Sequence, residues 1–84
     1  MEKEIRIASA LITVEKNSDI AEEVNKVLSV FSNEILARQG LSLPSKDFNI
    51  ISIILEAEVN TINSFAGKLG RVEGVCIKVL MTKK

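Results

Sequence analysis

The sequence predicts an α+β sandwich: a four-stranded antiparallel sheet with both helices on one face, in the order β-α-β-β-α-β. Three observations lead there. The run FNIISIILEA, Phe48 to Ala57, is apolar at nearly every position and rich in β-branched residues, as a strand buried in a sheet must be. Two other segments repeat their apolar residues at helical spacing. The alternation of these segments forms two right-handed β-α-β halves that interlock into one sheet, the ferredoxin-like arrangement.

Each element has its own signal. IRIASALITV, Ile5 to Val14, is β-branched and bounded by charge on both sides, so it reads as the first strand. EKNSD breaks it, with Ser18 or Asp19 as the expected N-cap and Asp19 and Glu22 at capping-box spacing. Ile20, Val24, Val27, Leu28 and Phe31 then fall within an arc of about 100° on a helical wheel, one apolar stripe. Glu34 to Gln39 reads as a second strand, and Gly40 and Pro44 in GLSLPSKD mark a loop before the third. Asn60 is the expected cap of a second helix whose stripe is Ile62, Phe65, Ala66 and Leu69. Val75 to Thr82 is the last strand, with Lys83 and Lys84 ending the chain.

FAGKLGRVEGV, Phe65 to Val75, holds three of the four glycines around Lys68 and Arg71. A phosphate-cradling loop would lie between a strand and the following helix, with a hydroxyl residue after the lysine. Here the glycines follow a helix and Leu69 follows Lys68, so the segment is structural punctuation. Gly70 is expected as the left-handed helix stop, Gly74 as the opening of the turn into the last strand, and Gly67 as a point of close approach.

The chain has 84 residues, room for one domain spanning residues 1–84. Lys plus Arg balance Asp plus Glu at 11 each, so no net field draws in nucleic acid or an anionic membrane. An RNA-reading sheet of this topology would stack bases on aromatic residues, and the central strands offer only Phe48. MEKEIRIASALITV mixes both charges at its start and has too short an apolar run for a signal peptide. The single cysteine, Cys76, has no partner for an intrachain disulfide, so a cytoplasmic location is expected.

There is no histidine. That removes the commonest general base and the commonest transition-metal ligand. With one cysteine besides, neither catalysis nor a metal or other cofactor is expected. Arg38, Gly40, Asn63 and Lys68 are the polar or permissive positions left as candidates for holding a small ligand. Ser9 and Thr13 interrupt one side of the first strand and could line a pocket.

The alternation within the strands bears on assembly. Phe48, Ile50 and Ile54 point to one side of the sheet while Ile51, Ile53 and Leu55 point to the other. In the first strand Ile5, Ile7 and Leu11 oppose Ala8, Ala10, Ile12 and Val14. Two helices cover one face only, and the uncovered apolar face calls for a homo-oligomer, a dimer or a tetramer built from dimers. Which of the two sets forms that interface is left open by the pattern itself.

The runs ILARQGL, FNIISIILEA and INSFAGKLGRVEGVCIKV, with the opening MEKEIRIASALITVE and VNKVL, resemble a small bacterial family described as iron-only hydrogenase system regulators. The likeness covers nearly the whole chain, and AGKLGRVEGVCIK is its most distinctive part. That family resembles in fold the ACT regulatory domains and the C-terminal domain of nickel-responsive repressors. The resemblance implies an ACT-like module that senses a small metabolite at a subunit interface and acts through a protein partner. The alternative is an assembly or adaptor module without a ligand. The nickel ligands of those repressors include histidines, which this chain lacks, and with no ribbon-helix-helix segment before the first strand any effect on transcription is expected to pass through a partner.

Overall fold

The computed structural model describes residues 4–83. Residues 1–3, where the mixed-charge opening begins, and Lys84 lie outside the described residues. The elements are β1 (Ile5–Glu15), α1 (Ser18–Val30), β2 (Ile35–Leu41), β3 (Phe48–Glu58), α2 (Val59–Gly70) and β4 (Val75–Met81). They form one antiparallel sheet in the order β2-β3-β1-β4, the expected βαββαβ sandwich.

The alternation along the strands sorts the two faces. Ala8, Ala10, Ile12 and Val14 on β1 and Ile53, Leu55 and Ala57 on β3 are buried beneath the helices, with Ile51 packed beside them. Small alanines on a central strand let the helices approach the sheet, and Val24 and Leu28 of α1 with Ile62, Phe65 and Leu69 of α2 fill the space. Phe31 and Phe65 meet edge to face, centroids 5.2 Å apart at 87°, the geometry that aromatic quadrupoles favour. Among the described residues no buried side-chain nitrogen or oxygen lacks a partner. The buried residues among those described are all apolar.

The boundaries differ from the sequence expectations in instructive ways. α1 is capped by Asn17, not Ser18 or Asp19: its Oδ1 accepts from the Asp19 and Ile20 backbone N–H groups at 2.8 and 3.3 Å. β3 runs straight into α2, so Asn60 lies inside the helix and Glu58 takes the cap position without a side-chain cap bond. The Val59 N–H instead donates to the Glu4 carbonyl, just before β1, at 3.1 Å, satisfying one of the helix's orphan donors. Gly40 is in β2 rather than a loop, because it pairs with Ile51 in the ladder.

Gly70 is not left-handed. The Arg71 N–H continues the helical bonding to the Gly67 carbonyl, and the only positive-φ glycine among the described residues is Gly74, at 85°. A Cβ at Gly67 would meet nothing within 4 Å, so that residue permits no close approach. At Gly74 a Cβ would stand 2.7 Å from Ile20 Cδ1 and 3.0 Å from Glu15 Oε2. Those side-chain ends can swing away, but the backbone strain stays. Gly74→Ala is therefore expected to lose about 1–2 kcal/mol in urea denaturation. A loss below about 0.3 kcal/mol would mean the turn relaxes to negative φ.

Candidate functional site

Two surfaces stand out: a groove on the helix side and the open face of the sheet. The groove lies between the first turns of α1 and the end of edge strand β2, with a volume of about 310 Å³. Ala21 and Val24 form its helix wall, Gly40 and Ser42 its strand wall, and Asn49 and Ile51 its floor. A Cβ added at Gly40 would meet nothing within 4 Å, so the missing side chain leaves room here. Asn49 Oδ1 accepts from the Leu43 N–H at 3.3 Å and from Ser42 Oγ at 3.5 Å, which orients the carboxamide at one end of the groove. The walls suit an aliphatic group and the Ser42–Asn49 end suits a polar one.

Arg38 flanks this groove. Its Nη2 donates to Asn25 Oδ1 at 2.9 Å, tying β2 to α1 next to Val24. Arg38 and Gly40 share the helix-side face of β2, since their ladder partners Ile53 and Ile51 do. Asn63 and Lys68 are elsewhere, both exposed on α2. The Lys68 ammonium sits 5.6 Å from the centroid of the Phe31 ring, at the opposite end of α1 from Ala21. The fold thus brings together two of the four candidate ligand residues and separates the other two from them. Sequence reasoning missed Ser42, Asn49 and the α1 wall, because the groove is assembled from three separate segments. The usable signal was a glycine followed by a serine at a strand end.

The open face carries Ile7, Leu11 and Thr13 of β1, Phe48, Ile50 and Ile54 of β3, and Leu41 and Leu80 of the edge strands. Leu11, Leu41 and Leu80 are 50%, 53% and 77% exposed. The structure therefore assigns Ile50 and Ile54 to the uncovered face, while Ile51, Ile53 and Leu55 belong to the face beneath the helices. Ser9 and Thr13 also lie on the open face; Thr13 borders a shallow hollow with Cys76, Glu15 and Phe48. Cys76 is exposed. Among the described residues no three His, Cys, Asp or Glu side chains converge as a metal site, and no helix is long and apolar enough to cross a membrane.

Fold and surfaces together define a small ferredoxin-like α+β domain with an aliphatic groove beside one edge strand and an apolar open face. Comparison with known proteins narrows this. Residues 6–79 match the TM1266-like family model, described as "Iron-only hydrogenase system regulator, putative", and the chain belongs to that family. It is similar to the solved structure of the uncharacterized protein TM1266 from Thermotoga maritima, with a TM-score of 0.92 and 34% sequence identity over 95% of this chain and 100% of that one. No curated protein matches the chain.

Proposed function

We propose that this chain is a non-enzymatic regulatory module of an iron-only hydrogenase system. In this reading it holds a small ligand in the groove between α1 and β2, assembles into a homo-oligomer through its sheet, and acts on a protein partner rather than on nucleic acid. The observation that carries the reading is the groove itself, with the open position at Gly40 in its strand wall. Leu41 and Ile50 line the groove and also belong to the open face. A molecule bound there touches the strand ends that a second subunit would meet, which supplies a route by which occupancy biases assembly. The groove's chemistry favours a small acid or amino acid with an aliphatic side chain.

The test is a thermal-shift screen of amino acids and related small acids, since a ligand that binds only the folded chain raises its melting temperature. The control is Gly40→Leu. Its side chain enters open space at a strand position without positive φ, so stability should change by no more than about 0.5 kcal/mol. The ligand-induced shift should disappear. A flat response of the wild type to every compound would leave the adaptor reading. A shift that survives Gly40→Leu would place the ligand somewhere else.

A further inference from the structure

The open face is complementary to itself in one particular orientation, and we propose that two copies pack there back to back around a two-fold axis running along the strands between β1 and β3. This rests on the self-association reading above and adds its geometry. The ladder registers place the side chains of the face in rows across the sheet. One row reads Leu80, Ser9, Ile54, Ala37; the next Lys78, Leu11, Ser52, Gln39; the third Cys76, Thr13, Ile50, Leu41. In each of these three rows the inner pair is one larger and one smaller residue, and the larger one changes strand from row to row.

A two-fold axis along the strands reverses each row onto itself. Ile54 then lies over Ser9 of the second copy, Leu11 over Ser52, and Ile50 over Thr13. At the edges Leu80 lies over Ala37 and Lys78 over Gln39, whose carboxamide oxygen can accept from the ammonium. Along these inner pairs each larger side chain meets a smaller one, in the aligned class of sheet-on-sheet packing. The two Lys78 ammoniums fall on opposite edges, about 14 Å apart across the sheet.

An axis across the strands does worse on both size and charge. It stacks each strand on its own copy and so brings both Lys78 residues to the same edge. Centred on the middle row it sets Leu11 on Leu11 and Lys78 on Lys78. Centred half a row toward Ile54, it lays each Lys78 ammonium on Leu80 of the second copy, where the axis along the strands offers it Gln39; both arrangements set an isoleucine against Glu56, Ile50 here and Ile7 there. The available area also fits a dimer. Four strands about 4.8 Å apart, over these three rows and the adjoining Ile7–Glu56 row about 6.7 Å apart, project roughly 500 Å². Side chains standing up from that plane bring the accessible area toward the about 600–800 Å² per partner of a specific interface.

Native Cys76 makes the test direct, because the proposed axis puts it over Leu41 of the second copy. Leu41→Cys, treated with a bis-maleimide spanning about 8 Å and chosen for sheets about 10 Å apart, should give a covalent dimer on a denaturing gel. Wild type and Leu80→Cys should not. Crosslinking of Leu80→Cys but not Leu41→Cys would assign the axis across the strands and overturn the proposal. No crosslinking in any variant, with wild type sedimenting as a dimer, would also overturn it while leaving self-association standing. A wild type that sediments as a monomer at high micromolar concentration removes both. A size exchange gives a second reading: Ser52→Leu should weaken the dimer about tenfold or more, and adding Leu11→Ser should restore most of that loss. Failure of the second substitution to rescue the first would count against the proposed pairing.

Discussion

Ile53→Lys is expected to give a chain without folded secondary structure, while Ile54→Lys gives a folded one that no longer self-associates. The two residues are chain neighbours of identical chemistry. Ile53 is 0% exposed, pairs with Ala10 on β1 and lies in the cluster beneath the helices. An ammonium there has no carboxylate to meet, since no buried polar or charged residue is present among those described. An uncompensated buried charge costs about 3–5 kcal/mol after relaxation, and the lost aliphatic packing adds to it. A small domain has about 5–10 kcal/mol in total. Ile54 projects from the other side, beside Ser9 and Ala37, where an ammonium remains in water in the free chain. Its cost falls on the packing of the open face. Circular dichroism reports the fold and sedimentation the assembly. Equal unfolding of both variants would contradict the assignment of faces.

Phe65→Ala should lower stability by about 3–5 kcal/mol, which for a domain of this size means a fall in melting temperature of about 15 °C or more. Phe65 is 0% exposed and its ring meets Phe31 edge to face. The Lys68 ammonium lies over the outer side of the same Phe31, so the three residues form a short stack joining the C-terminal end of α1 to α2. A double-mutant cycle with Phe31→Leu separates the two contributions. A coupling of about 0.5–1.5 kcal/mol is expected for the ring contact beyond area burial. A total loss below about 1.5 kcal/mol for Phe65→Ala would show that the core collapses around the vacancy.

The faces of β1 and β3 were legible as two alternating sets, because side-chain direction follows from strand period alone. Their assignment to core or open face was not, since both sets on β3 are aliphatic. Ala8 and Ala10 held the clue, marking where helices come close. The cap of α1 was misplaced because Asn17, Ser18 and Asp19 are all competent, and the end of β1 decides among them. Gly40 and Gly70 were read by their local habits as loop and helix stop. Strand pairing with Ile51 and continued helical bonding from Arg71 overrode both. The groove escaped notice for a different reason. It has no motif, only three segments that the β2–β3 pairing and the crossover of α1 bring side by side.

The strand order also governs when the molecule can form. β1 is the first strand to be synthesised, yet it sits inside the sheet with β3 and β4 as neighbours, Ile5 opposite Glu58 and Thr13 opposite Cys76. β2 and β3 are the one pair of adjacent strands joined by a short connection, and such local contacts close first. β1 waits for partners made later, because long-range pairing must overcome loop-closure entropy before it gains contacts. A nascent chain therefore carries the aliphatic residues of β1 unpaired until β3 arrives and half-paired until β4 completes the sheet. This interval, rather than the finished fold, is when chaperone binding or misassembly has its opportunity.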